Sequence, residues 1–133
     1  MQIGEVSKLT GLSYHTLRYY EKVGLIRNIS RNEQDKREYT EKDVEWINFL
    51  VSLKKAKMPL SEFARYAELY YCSDSCTECI TERVNLLEVH KNRLIEQIGE
   101  LQDSVDYLGW KVSKLNGTLI NLDKKHTQSR KCM

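Results

Sequence analysis

Apolar residues recur at helical spacing in the first ten positions of the chain. Ile3, Val6 and Leu9 are three residues apart, and this spacing predicts a first helix over residues 3–10. A tight turn that contains Gly11 follows it.

A second helix is predicted between Ser13 and about Val23. The Ser13 hydroxyl can accept a free backbone N–H at the start of this helix, and Gly24 can adopt the left-handed conformation that ends it. Two short helices joined by a three-residue turn containing glycine indicate a helix-turn-helix unit.

Two β-capable segments come next, over residues 26–30 and 37–40. They flank the polar segment 32–36, and this arrangement predicts a small hairpin, or wing. The basic side chains of the wing could bind a phosphate backbone or a minor groove, although three acidic residues alternate with them. These cations are Arg27, Arg31, Lys36 and Arg37.

Two further helices are predicted after the wing. One begins at Thr40, where Thr40 and Asp43 resemble a capping box, and the other covers about residues 60–71 after Pro59. The residues expected in the buried stripe of the first of these helices are Val44, Ile47, Leu50, Val51 and Leu53, and those expected on one side of the second are Leu60, Phe63, Ala67 and Tyr70.

The pattern changes at Ile80, where apolar residues begin to recur at alternating steps of four and three. Of thirteen such positions up to Leu122, twelve are Ile, Val or Leu, and Lys91 is the exception. This repeat is typical of a coiled-coil seam. A helix over 80–116 would be roughly 55 Å long at about 1.5 Å per residue, so it needs a partner helix to bury its seam. Asn116-Gly117 is a plausible end. The seam residues assigned to dimerisation are Val84, Leu87, Leu94, Ile98, Leu101, Val105, Leu108, Val112 and Leu115.

These patterns predict a mainly α protein with a winged helix-turn-helix head and a small β wing, followed by a long dimerisation helix. We place the head at 1–71, a cysteine-bearing connector at 72–79, the coiled-coil helix at 80–118 and a tail at 119–133.

The amino-acid composition excludes some classes of protein but does not identify a function. Hydrophobic residues make up 41% and charged residues 30%, as in folded proteins. The net charge is +2, so DNA binding would depend on where the charges lie. No run of 18 apolar residues and no signal-like N-terminus are present, which favours a cytoplasmic protein without a membrane role. We expect no enzyme, because no catalytic motif can be identified.

Three of the four cysteines lie within eight residues. Cys72, Cys76 and Cys79 could bind a thiophilic metal ion such as zinc or copper(I), form a redox- or electrophile-sensitive pair, or have no signalling role. A fourth ligand could be Cys132, His126 or His90, although His90 is expected to be an exposed helix residue.

The second helix carries the strongest candidates for DNA contact. Tyr14, His15 and Thr16 occupy its N-terminal end, where a helix in the major groove reaches base edges. Arg18 can donate to a guanine or a phosphate, and Tyr19 and Tyr20 offer hydroxyls to phosphates. At least one of these two tyrosines is expected to be largely structural.

At this point the residues resemble the head of the MerR family over about positions 2–70, and most closely its short branch without a separate drug-binding domain. The long helix also fits. The motifs that carry the resemblance are Ile3-Gly4-Glu5-Val6, Leu9-Thr10-Gly11-Leu12-Ser13, Thr16-Leu17-Arg18-Tyr19-Tyr20-Glu21-Lys22-Val23-Gly24-Leu25, Arg37-Glu38-Tyr39 and Asp43-Val44.

The resemblance implies a homodimer whose long helices pair antiparallel, so that two heads bind the halves of a palindromic promoter. It also implies that the promoter is bent and untwisted so that RNA polymerase can engage it. The DNA contacts carried over from the family are Arg18, Tyr19, Tyr20, Arg37, Tyr39 and Lys54.

Three positions differ from the usual family pattern. Asp35-Lys36 stands where a glycine usually precedes Arg37, and Lys57 stands where a glycine usually follows the third helix. Ser52 replaces the cysteine that the electrophile-sensing branch tends to carry in that helix.

Two functions therefore remain from the sequence. The first is an effector-responsive regulator that binds promoter DNA, with a metal, a thiol oxidant or an electrophile as the effector. The alternative is a coiled-coil interaction protein with a thiolate metal or redox module and no DNA role, which leaves the helix-turn-helix unexplained.

Overall fold

The computed structural model describes the backbone of residues 1–72 and 75–131, and the side chains of these residues up to 126. The elements are α1 (Ile3–Thr10), α2 (Tyr14–Lys22), β1 (Ser30–Arg31), β2 (Arg37–Glu38), α3 (Glu41–Lys55), α4 (Leu60–Tyr71) and α5 (Thr77–Lys131). The four short helices predicted from the sequence are confirmed.

Local capping accounts for these helix boundaries. The Thr16 N–H donates to the Ser13 hydroxyl at 3.1 Å at the start of α2, and Gly24 follows the helix with φ 82°. At the start of α3, Asp43 N–H donates to the Thr40 hydroxyl and Thr40 N–H donates back to the Asp43 carboxylate. Each cap satisfies backbone donors that have no partner within the helix.

The core of the head is assembled from every short helix and the segment after α2. Aromatic stacking extends it, with Trp46 and Tyr70 ring centroids 3.7 Å apart, and the indole N–H donates to Leu25 O. Leu60 is 70% exposed, although it is predicted on the same side of the helix as the buried Phe63 and Ala67. It is the first residue of α4, whose inner face is formed instead by Phe63, Tyr66 and Ala67. The most deeply buried large side chains are Val6, Leu17, Ile26, Ile47 and Leu50.

The wing is shorter than the sequence predicted. Its strands pair only Ser30 with Glu38 and Arg31 with Arg37, in antiparallel register. Of the predicted strand over 26–30 only Ser30 is in β1, because residues 26–29 continue the C-terminal cap of α2. The Ile26 N–H donates to Tyr20 O, and Asn28 has φ 61°, which breaks an extended strand.

The structure divides into two compact units, residues 1–91 and 92–133. The first turns of α5 belong to the first unit, where Leu86 and Leu87 pack against the core of the head. Leu87, which is predicted in the dimerisation seam, therefore also contacts the head of its own chain. His90 is also buried, contrary to expectation, and its Nε2 lies 2.7 Å from Ala56 O.

Within the second unit α5 continues through Gly117 to Lys131, so the predicted helix end at Asn116-Gly117 is wrong, and the helix includes residues 119–131 of the predicted tail. Gly117 does not have the positive φ of a capping glycine. A helical glycine costs about 1 kcal/mol, which a continuing apolar repeat can offset. Residues 132 and 133 of the predicted tail, and 73 and 74 of the predicted connector, lie outside the described residues. None of the described helices combines the length and apolarity that a bilayer crossing requires.

Candidate nucleic-acid interface

One face of α2 is exposed along its whole length. Tyr14, His15, Arg18 and Tyr19 lie on this face, and Tyr14 and Tyr19 are 46% and 49% exposed. Leu17 on the opposite side is fully buried and anchors the helix in the core. The structure therefore presents together four of the six residues predicted on this helix.

The remaining two predicted residues of α2 are less available. Thr16 is half-buried, and its hydroxyl accepts a hydrogen bond from Ser13 at 2.9 Å. Tyr20 is only 7% exposed, and its ring packs against Phe63 with centroids 6.4 Å apart. The structure thus makes Tyr20 the core tyrosine of the pair, as expected for one of them, and does not place it on the exposed face.

Tyr39 is likewise a core residue rather than a surface contact. It is 2% exposed, and burial, followed by the negative charge of Glu21, raises the pKa of its phenol. The direct DNA contact predicted for Tyr39 is not supported by this position. Sequence motifs could not reveal this, because the core cluster to which Tyr39 belongs is built from residues distant along the chain.

Arg37 joins the wing to the end of α2. Its Nε donates to Glu21 Oε2 at 2.5 Å, and both side chains are about a quarter exposed. This ion pair makes Arg37 a residue that holds the wing in position, a role that the sequence analysis did not assign to it. Glu21 was missed because the pair spans 16 residues.

A groove of about 340 Å³ lies between α2 and the wing. Four cationic side chains border it, and Asp35 is the single acid among its lining residues. Arg31 and Lys36 were recognised as wing cations, but only the structure places them beside Arg18. This excess of positive charge suits a phosphate backbone. The lining residues are Gln2, Ile3, Arg18, Arg31, Asp35, Lys36 and Arg37.

Two other positions relate to this surface. Lys54 is exposed in the last turn of α3 and is not among the residues that line the groove. Gly4 in α1 lies against Tyr14, and a Cβ at Gly4 would be 2.8 Å from the Tyr14 hydroxyl oxygen. The absent side chain of Gly4 therefore helps to set where Tyr14 lies.

A second candidate site lies at the junction of α4 and α5. Cys72 follows the last residue of α4, Cys76 precedes α5 and Cys79 lies in its first turn. The three Sγ atoms lie within 4.8 Å of one another, and those of Cys72 and Cys79 are 3.0 Å apart. The structure brings the predicted set together with its thiols free.

The thiols of Cys76 and Cys79 differ in acidity. Hydrogen bonds from Cys79, from its side chain and then from its backbone N–H, lower the pKa of Cys76. Hydrogen bonds with Cys72 and Cys76 raise the pKa of Cys79 to about 12. Cys76 is therefore more acidic than Cys79. Of the suggested fourth ligands, His90 is engaged with Ala56, and Cys132 lies outside the described residues.

The second unit exposes a continuous series of seam residues. Leu94 is half-buried, whereas the following seam residues are more than half exposed within this chain. Such a series exceeds the scattered apolar exposure of ordinary surfaces and indicates an association face. These exposed seam residues are Ile98, Leu101, Val105, Leu108, Val112 and Leu115.

Comparisons with known proteins agree with this arrangement. A family model described as "MerR HTH family regulatory protein" matches residues 1–69. The chain is 37% identical over 103 residues to an uncharacterized HTH-type transcriptional regulator of Haemophilus influenzae, covering 77% of this chain and 74% of the relative. It is 38% identical over 96 residues to the HTH-type transcriptional regulator AdhR of Bacillus subtilis, covering 72% and 66%.

A solved structure is also similar over most of its length. It is that of HiNmlR, described as a MerR family regulator lacking the sensor domain, bound to promoter DNA. The TM-score is 0.72 at 34% identity, and the match covers 84% of this chain and 86% of that chain.

Proposed function

Because this chain belongs to the MerR HTH family of regulatory proteins, we propose that it binds a palindromic promoter as a homodimer and regulates transcription in response to an effector. The observation that carries the proposal is the cationic groove between α2 and the wing, next to the exposed face of α2. An exposed helix face can enter a major groove while adjacent cations hold the phosphates.

Each DNA-facing residue has a distinct role in this proposal. Tyr14, His15 and Arg18 face base edges or the adjacent phosphates, and Tyr19 contacts the backbone. Arg31 and Lys36 hold phosphates across the groove, with Arg37 fixing the wing. Thr16 and Lys54 remain candidates at the edges of this surface, whereas Tyr20 and Tyr39 support it from the core.

Dimerisation follows from the exposed seam of α5. A single helix cannot bury this stripe, so a second copy packs against it, in antiparallel orientation as the family resemblance implies. The promoter is then contacted at two half-sites related by the same symmetry. Residues Ile98 to Leu115 form the centre of this seam.

Promoter distortion is the proposed regulatory step. Bending and untwisting the DNA costs a few kcal/mol, which additional phosphate contacts from the wing offset. RNA polymerase is engaged through the distorted DNA. The thiol cluster of Cys72, Cys76 and Cys79 is the effector site, and a thiophilic ion is one effector class it can hold.

The first test is binding to the DNA upstream of the protein's own gene. We expect salt-dependent binding of a dimer to one symmetric site, measured by fluorescence anisotropy over a range of salt concentrations. Arg18→Ala should lose about 1–3 kcal/mol of binding free energy if Arg18 reads a base.

Lys111→Ala is the matched control, because this exposed lysine lies on α5 in the second unit. It should bind like the wild type. Equal affinity of Arg18→Ala and the wild type would exclude α2 as the reading helix, and a lack of any preference for symmetric DNA would exclude the function itself.

A further inference from the structure

The thiol cluster is complete within one chain. Its three sulfur atoms come from the end of α4, the connector and the first turn of α5, and they lie within 4.8 Å of one another. In the described part of the chain, this is the one group of three or more cysteine, histidine or carboxylate ligand atoms that meets so closely. No second copy is needed to assemble it.

We propose, building on the regulatory function above, that this cluster is the effector site for a trivalent thiophilic ion of the arsenic(III) class, bound by three sulfur atoms of a single chain.

The number of ligands supports a three-coordinate ion. A structural zinc site closes with four protein ligands, whereas the described residues supply Cys72, Cys76 and Cys79 and no fourth atom in the group. An ion with a pyramidal set of three bonds and a lone pair needs no fourth ligand. Cys72 is exposed, so the open side of the pyramid can face solvent.

The charge balance also supports a trivalent ion. Three thiolates around a trivalent ion form a neutral complex, whereas a divalent ion leaves one negative charge and copper(I) leaves two. Cys76 and Cys79 are half-buried. A residual negative charge is least favourable in such a partly desolvated site.

The binding step balances without an oxidant. Arsenous acid, As(OH)₃, reacts with three thiols to give As(SR)₃ and three water molecules. Three S–H and three As–O bonds break, while three As–S and three O–H bonds form. Arsenic stays trivalent, no electrons are transferred, and the three thiol protons leave in the water molecules.

The position of the cluster links this step to regulation. Tyr70, close to the end of α4, stacks on Trp46 of α3, and the start of α5 is held to α4 by the ion pair of Arg65 with Glu82 at 2.8 Å. A bound ion would add a covalent bridge across the same junction. It would thereby fix the orientation of α4 relative to the first turns of α5, on which the DNA-binding head packs.

The test uses the full-length, reduced protein and sodium arsenite, with thiol titration and native mass spectrometry as readouts. We expect one arsenic atom per chain and the loss of three titratable thiols per chain. Cys132→Ser is the matched control and should bind arsenite like the wild type. Cys72→Ser, Cys76→Ser and Cys79→Ser should each weaken binding at least tenfold, with circular dichroism confirming that each variant is folded.

Three outcomes would overturn the inference. They are one arsenic atom per two chains, loss of binding in Cys132→Ser, and zinc chloride or copper(I) displacing arsenite when each is present in equal amount. Promoter binding, measured in parallel, separates the two proposals. Unchanged promoter affinity on arsenite binding would overturn the regulatory role of the site, whereas absence of promoter binding in every sample would overturn the proposed function instead.

Discussion

Two residues other than glycine adopt a left-handed backbone conformation in this chain. They lie at or beside positions where the family usually has glycine. Asp35 in the wing has φ 60°, and Lys57 after α3 has φ 57°. Aspartate tolerates this region better than lysine, because its short side chain can bond locally. At Lys57 the conformation is kept by the cap of α3, where Met58 N–H donates to Leu53 O at 3.1 Å.

Lys57→Gly should therefore stabilise the protein by roughly 0.5–1 kcal/mol, because glycine adopts this conformation without the Cβ penalty. The change is measured by urea unfolding. Glu45→Gly, at an exposed helical position of α3, should instead destabilise by about 1 kcal/mol. If Lys57→Gly lowers stability as Glu45→Gly does, the left-handed assignment of Lys57 is wrong.

The different acidities of Cys76 and Cys79 give a pH-dependent prediction. The pKa of Cys76 is lowered and that of Cys79 is raised to about 12, and the thiolate is the form that reacts. As the pH rises from roughly 6 to 9, iodoacetamide should therefore alkylate Cys76 of reduced, metal-free protein before Cys79, which stays protonated. Peptide mapping by mass spectrometry measures both sites, and faster modification of Cys79 would contradict the hydrogen-bond arrangement.

At the scale of secondary structure, the long helix shows how far a repeat can override a local stop signal. Asn116-Gly117 resembles a helix end, yet α5 continues for fourteen residues beyond Gly117. The apolar series reaches Leu122, and a paired seam would stabilise each turn by more than one glycine costs.

This interpretation predicts that replacing two different glycines with alanine changes the free energy of unfolding in opposite directions. Gly117→Ala should stabilise by up to about 1 kcal/mol per chain, because alanine is the better helix former. Gly24→Ala should destabilise by about 1–2 kcal/mol, because its φ of 82° disfavours any Cβ. Thermal unfolding distinguishes the cases, and destabilisation by both substitutions would mean that Gly117 is a cap.

At the scale of the whole molecule, assembly depends on the exposed seam of the second unit. Leu108 is 62% exposed within one chain although it lies in the apolar repeat. Leu108→Glu would place a charge in the proposed dimer interface, and burying an unpaired charge costs several kcal/mol. We expect the dimer to dissociate and promoter affinity to fall, as measured by analytical ultracentrifugation and anisotropy.

Ser113→Glu is the control for this substitution. It introduces the same charge one residue after the seam position Val112, and the variant should remain dimeric. A dimeric Leu108→Glu variant would show that another surface joins the two copies.

The sequence by itself determined the features that depend on a few neighbouring residues. The caps at Ser13 and Thr40, the short helices and the apolar repeat of α5 were all predictable, because capping and helical periodicity involve positions within about four residues. The exposed face of α2 followed from the same periodicity. The family resemblance over the head could also be identified from the sequence, because it depends on contiguous motifs.

Only the tertiary structure decided which of these residues meet. It buried Tyr20 and Tyr39, paired Arg37 with Glu21, placed Arg31 and Lys36 beside Arg18, and brought three sulfur atoms within 4.8 Å. It also buried His90 and packed Leu87 against the core of the head. Burial and ion pairing depend on side chains contributed by other elements, and no local pattern specifies how those elements pack.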